Sequence, residues 1–172
     1  GNGTDALEIA LLAAGVKRGD EVITATNSWT SSVNSIINIG AKPILVDVKE
    51  DFNIDCGQII RAINKRTKAI IPVHLNGLIA DMSAINKIAK LHKLKVIEDS
   101  AQAIMSKINN KFAGTFGDIG CFSMHPTKTL GAAGDGGFIT TNNFNYFNKI
   151  ILLRNHGMNE KGASLLAGRN SR

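Results

Sequence analysis

Between residues 21 and 100 short apolar runs alternate with segments of helical period, and this alternation restricts the possible folds more than any other feature of the chain. Glu21 to Thr26, Ile44 to Val48, Lys68 to His74 and Lys95 to Ser100 read as strands. Between them, Asn27 to Ile39, Ile54 to Asn64 and a segment from Asp81 or Ser83 to His92 read as helices. Another helix, Asp5 to Ala14, precedes the first strand, with Thr4 or Asp5 as its expected N-cap. Strands joined through helices run parallel, because the crossover returns the chain to the same end of the sheet. The prediction is an α/β fold with a mostly parallel central sheet flanked by helices. At 172 residues, 44% of them hydrophobic, the chain is enough for one domain with a real core.

Two more apolar runs, Ile119 to Met124 and Gly137 to Thr141, enclose the stretch richest in chemistry. Gly117 to Thr141, GDIGCFSMHPTKTLGAAGDGGFITT, carries six glycines, Pro126 and one lysine, Lys128. A lysine in a loop shaped by proline and glycine, between two buried strands, is expected to be desolvated. Desolvation disfavours the ammonium form and frees the amine as a nucleophile for Schiff-base chemistry. Such a lysine needs a carboxylate for a pyridinium nitrogen, donors for a phosphate, and an aromatic face. Glu98 and Asp99 end a strand where the chain must leave the sheet, so both acids point to a site. Gly3 and Thr4 open a helix whose free amides and dipole attract an anion, and Ser123 closes the strand before Lys128. Trp29, the one tryptophan, follows a strand end among Asn, Ser and Thr residues, which are poor core neighbours. It reads as a ligand platform at the sheet edge where open α/β folds bind ligands.

Other chemistries fit less well. A serine hydrolase needs G-x-S-x-G, and Phe122 and Met124 flank Ser123 instead. The phosphate-binding G-K-[ST] loop fails because Thr127 precedes Lys128. The G-x-G-x-x-A match at Gly1 lacks the acid that should close the next strand, since Asp20 comes before it. His74, His125 and Asp99 have no ligand spacing, so no metal site is expected. The net charge of +6 comes from lysines scattered without a basic run, and one Trp and one Tyr cannot supply the stacking of a nucleic-acid groove. Cys56 and Cys121 form no C-x-x-C pair, and Cys121 is expected as a buried, inert thiol. With no signal peptide and no apolar run of membrane length, the expected setting is the cytoplasm, away from membranes.

GNGTDAL, PVHLNG, VIEDSAQA, GDIGCFSMHPTKTLGAAGDGG and the final GRNSR give the chain a second reading. Almost end to end it resembles the DegT/DnrJ/EryC1/StrS aminotransferases, fold type I pyridoxal phosphate enzymes acting mostly on keto-sugar nucleotides. The resemblance implies an aspartate-aminotransferase-like large domain. Residues 1–172 would be its central part, without an N-terminal segment and a C-terminal small domain. It implies that Lys128 bonds the cofactor and that Asp99 contacts its pyridine nitrogen. Gln102 would lie beside the phenolic oxygen, and Trp29 would stack on the ring. Gly3, Thr4 and Ser123 would hold the phosphate, and Asn170 would reach the phosphate of a neighbouring subunit in a homodimer. Glutamate would donate the amine and a keto-sugar nucleotide would accept it. Two alternatives stand beside this. One is a sugar dehydratase of the same family, disfavoured because those relatives carry histidine at the Lys128 position. The other is a non-catalytic, structural or oligomer-forming fragment. Asn76 stands where the family usually has tyrosine.

Overall fold

Hydrogen bonding between five of the apolar runs builds the expected parallel sheet in the computed structural model, which describes residues 1–172. In chain order the elements are α1 (Gly3–Ala13), β1 (Glu21–Ala25), α2 (Thr30–Asn38), β2 (Lys42–Val46), α3 (Cys56–Ala62) and β3 (Thr67–Ile71). They continue with α4 (Met82–His92), β4 (Lys95–Asp99), β5 (Lys107–Ile108), β6 (Lys111–Phe112), β7 (Ile119–Ser123), β8 (Gly137–Thr140) and α5 (Phe144–Arg154). The sheet order is β2-β1-β3-β4-β7-β8, parallel from β2 to β7, with β8 antiparallel at the edge. The fold class is as the sequence predicts. β5 and β6, which carried no expectation, form a separate small hairpin. Its turn residues Asn109 and Asn110 both have positive φ, 48° and 62°, the geometry of a tight hairpin turn that asparagine tolerates. No helix is long and apolar enough to cross a membrane.

Each face of the sheet has its own core. Val22, Ile71, Ile97, Ile119 and Cys121 pack under α1, α2 and α5, against Leu7, Ala10, Leu11, Ile36 and Ile150. Ile23, Ile70 and Val96 pack on the other face with Ile59 of α3 and Ile85, Ile88 and Ala89 of α4. Because successive strand residues point to opposite faces, the adjacent acids at the end of β4 part company. Asp99 follows Ile97 onto the α1 face, and Glu98 follows Val96 onto the α4 face.

Glu98 therefore corrects the reading of both acids as site residues. It is fully buried, and its Oε2 accepts from His74 Nε2 and from the Gly114 amide, each at 2.8 Å. Its Oε1 accepts from the Gly117 amide. His74, also fully buried, accepts the Ala80 amide on Nδ1, so Nε2 carries the hydrogen given to Glu98. This acid ties the end of β3 and the segment entering β7 to the centre of the sheet; it serves packing.

The N-terminus of α1 brings a second correction. Asn2, not Thr4 or Asp5, is the N-cap: its backbone is extended and its side chain accepts from the Asp5 amide at 2.9 Å. Gly3 and Thr4 are thus the first helical residues, and their amides have no intrahelical acceptor. Asp81 caps α4, the first of the two positions the sequence offered.

Candidate active site

The carboxyl ends of β1, β3, β4 and β7 and the N-terminus of α1 enclose a cleft of about 630 Å³. Gly3, Thr4, Trp29, Asp99, Gln102, Ser123 and Lys128 all line it. Asn170 does not. It lies near the chain's end, exposed, bridged to Asn155 and accepting from Arg172 at 3.1 Å. Residues 124 positions apart in sequence (Thr4 and Lys128) share the cleft because every β-strand in question ends at the same side of a parallel sheet.

At the end of β7, Ser123 and the start of α1 come into direct contact. A Cβ on Gly3 would sit 2.8 Å from Ser123 Cβ, so only glycine lets the helix amides approach that serine. Two amides and the Ser123 hydroxyl form a donor cluster at the positive end of an 11-residue helix. The Thr4 hydroxyl donates at 2.9 Å to Ser31 in α2, which locks its rotamer.

Asp99 is buried, and burial pushes its carboxyl above the usual carboxylate range. The Ser32 hydroxyl, donating to Oδ2 at 2.7 Å, and the Ala101 amide, donating to Oδ1 at 3.2 Å, oppose that rise, as does the charge of Lys128. Its neighbour Cys121 is inert, as expected: burial drives the thiol well up, and its Sγ donates to the Ala6 carbonyl. For Asp99 the sign of the linkage is set by the raised folded value. Its contribution to stability is full below the carboxyl's unfolded range and lost as pH rises through the folded value. Asp99→Asn should therefore raise the Tm of the cofactor-free protein at pH 7, with the gain shrinking towards pH 4. Thermal melts across that range check it; an unchanged or lowered Tm at pH 7 would contradict the buried-charge account.

Trp29 is 72% exposed at the start of α2, so it is no core residue. It presents its indole at the cleft wall. Gln102 Oε1 accepts the Asn76 amide at 2.8 Å, which leaves the side-chain N–H groups as its available donors. Asn76 itself adopts φ 53°, ψ 23°, a left-handed conformation that asparagine accommodates better than most residues. Lys128 departs from expectation in one respect: it is half-exposed. The chain leaves the sheet after Ser123 into a loop whose other residues around Lys128, from His125 to Leu130, are all exposed. The loop is nevertheless shaped. The Lys128 amide closes a turn onto the His125 carbonyl at 2.8 Å, and a Cβ on Gly131 would sit 2.7 Å from the Pro126 carbonyl oxygen.

Sequence reasoning missed Ser32, Ser28 and Asp135. Ser28 and Asp135 line the cleft, and Ser32 holds Asp99 from behind. Ser28, in the bend before α2, and Ser32, in the first turn of α2, bring their hydroxyls to 2.7 Å of each other. The donor set fits the pyridoxal phosphate that the resemblance implies: one amine, one buried acid, one indole and a helix N-terminus kept open by a glycine.

Comparison with known proteins places the chain among a family of enzymes. A pleiotropic regulatory protein of Geobacillus stearothermophilus is 51% identical over 100% of this chain and 46% of its own length. A UDP-N-acetyl-3-dehydro-alpha-D-glucosamine 3-aminotransferase of Acidithiobacillus ferrooxidans is 48% identical over 99% of this chain and 47% of its own. Among solved structures, S. venezuelae DesV in complex with a ketimine intermediate superposes with a TM-score of 0.96 at 37% identity, covering 99% of this chain and 46% of that one. The chain thus spans about half the length of the curated relatives it matches. The model of the DegT/DnrJ/EryC1/StrS aminotransferase family matches residues 1–172, and the chain belongs to that family.

Proposed function

We propose that residues 1–172 are the central part of the pyridoxal phosphate-binding large domain of a sugar aminotransferase. In this reading the whole protein is a cytoplasmic homodimer that moves an amino group from glutamate to a keto-sugar nucleotide. One observation carries the reading above the others: a lysine, a buried acid, an indole and a glycine-opened helix N-terminus converge on one cleft. The nucleotide-linked keto-sugar in the name of the Acidithiobacillus relative supports the substrate class.

Pyridoxal phosphate, when bound, supplies an aldehyde that accepts the donor's nitrogen and a ring that withdraws electrons. The amides of Gly3 and Thr4 and the hydroxyl of Ser123 would bind its phosphate at the positive end of α1. Asp99 would hold a negative charge against the ring nitrogen, whose protonated form would offset the cost of burying the carboxylate. Trp29 would stack on the ring, and the Gln102 side-chain amide would donate to the phenolic oxygen. The Lys128 amine would bond the cofactor's aldehyde and, when free, would serve as the base that takes a proton from the substrate carbon. Asn170, exposed and outside the cleft of its own chain, reaches the phosphate held by the partner subunit.

The test is direct. Pyridoxal phosphate titrated into the protein should give a visible absorbance band, and glutamate should discharge it with release of 2-oxoglutarate. A panel of keto-sugar nucleotides then identifies the acceptor. A protein that forms no band and yields no 2-oxoglutarate would overturn the reading.

A further inference from the structure

Only one side chain donates a hydrogen bond to Asp99, and it belongs to a residue with no other evident duty. Ser32 is fully buried in α2 and lies 2.7 Å from Asp99 Oδ2. Behind it, Ser28 Oγ sits 2.7 Å from Ser32 Oγ and lines the cleft. A hydroxyl has one hydrogen to give and two lone pairs to receive with. With an ionised Asp99, the Ser32 hydrogen is committed to the carboxylate, so Ser28 must donate to Ser32. Ser28 then offers only lone pairs to the cleft. With a protonated Asp99 the carboxyl hydrogen can be given to Ser32, both hydroxyls rotate, and Ser28 offers its hydrogen to the cleft. No proton leaves its oxygen in this reversal; only torsions change.

We propose that Ser32 is a positioning residue that orients Asp99 and favours its ionised form, and that Ser28 and Ser32 together form a hydroxyl relay reporting the charge of Asp99 at the cleft wall. The part of the proposal that concerns cofactor affinity rests on the function proposed above. The coupling of Ser32 to Asp99 rests on the geometry alone. Lys128 from the loop after β7 and Cys121 on β7 are the titratable groups beside Asp99, and His74 from the end of β3 acts on it by charge while turned to Glu98. None of them donates a hydrogen bond to the carboxylate, so Ser32 has no side-chain substitute.

The experiment follows Asp99 in the cofactor-free protein by carbon-13 NMR of labelled aspartate, assigned by comparison with Asp99→Asn. Ser32→Ala should move the Asp99 titration to higher pH, and Ser32→Thr, which keeps the hydroxyl, should restore it. Ser28→Ala should move it the same way by less. Pyridoxal phosphate should bind Ser32→Ala about tenfold more weakly, the scale of one hydrogen bond to a charged group. Binding to Ser32→Thr should return towards the parent value. An Asp99 titration identical in Ser32→Ala and the parent would overturn the proposal, as would a folded Ser32→Thr that behaves like Ser32→Ala. Should Ser32→Ala fail to fold, an unmoved Asp99 in Ser28→Ala would overturn the relay. If the parent protein binds no pyridoxal phosphate, the proposed function fails while the Asp99 titration still decides the coupling.

Discussion

Lys128→Ala should leave a protein that binds pyridoxal phosphate but shows no lysine-linked absorbance band and does not convert glutamate. The groups proposed to hold the phosphate do not depend on the Lys128 side chain: the amides of Gly3 and Thr4 and the Ser123 hydroxyl. They should keep the cofactor in place. On the proposed function, what disappears is both the nucleophile and the proton carrier, and a positioned acid–base group alone is worth about 10²–10⁴ in rate. In the whole enzyme, turnover should fall by at least that factor. Borohydride reduction of the parent protein should fix the cofactor's mass on the peptide carrying Lys128, and Lys128→Ala should take up none. Label on another lysine, or full activity in Lys128→Ala, would remove the central assignment. The loop supports the selectivity. Pro126 denies the sheet another donor, and Gly131 lets the chain fold back on Pro126, so the stretch cannot continue as a strand.

Glu98→Ala should be the most damaging single change to stability near the cleft. The carboxylate receives three donors, from His74, Gly114 and Gly117, in a place with no access to water. Each buried donor left unpaired costs about 1–3 kcal/mol, and the three share one cavity, so the loss should total about 4 kcal/mol. That is a large share of the ~5–15 kcal/mol that holds a domain folded. Glu98→Gln keeps the shape and one acceptor but turns a donor towards a donor, and should cost roughly half as much. Urea unfolding of both variants measures the difference. Equal midpoints for Glu98→Ala and the parent would show that the network carries no load. Removing Glu98 should also loosen the segment entering β7, and with it the placement of Ser123, while leaving the chemistry of Asp99 itself in place.

The sheet was readable because buried parallel strands are apolar on both faces, and Val22-Ile23, Ala69-Ile70-Ile71 and Val96-Ile97 announce themselves without alternation. The cleft was readable for a related reason. Chemical residues at strand ends, such as Asp99, Ser123 and Trp29, stand out where the apolar run stops. What escaped notice depends on contacts through space. Nothing local in a polar row such as Asn27 to Ser32 marks Ser32 as the partner of an acid 67 residues away. Glu98 and Asp99 look equivalent in one dimension, and only the pleat separates them. The N-cap of α1 is ambiguous in the sequence because Asn2, Thr4 and Asp5 all carry capping side chains, and propensity cannot choose among them. The half-exposure of Lys128 depends on which side of the sheet edge the loop covers, a matter of path that glycine and proline content leaves open. The β5–β6 hairpin has two-residue strands, too short for any period to show.

The parting of Glu98 and Asp99 to opposite faces limits how this region can evolve. A single inserted or deleted residue in β4 would slip the strand by one and exchange the two acids. The carboxylate of the cleft would then face the amides of Gly114 and Gly117, and the packing acid would face the ligand. Both functions would be lost together, although every side chain was still present. The hairpin between β4 and β7 bears no such constraint, since Lys107, Ile108, Lys111 and Phe112 are all exposed. Changes in chain length should therefore collect in that hairpin and be purged from the strand, so that spacing within β4 outlasts the identity of its apolar residues.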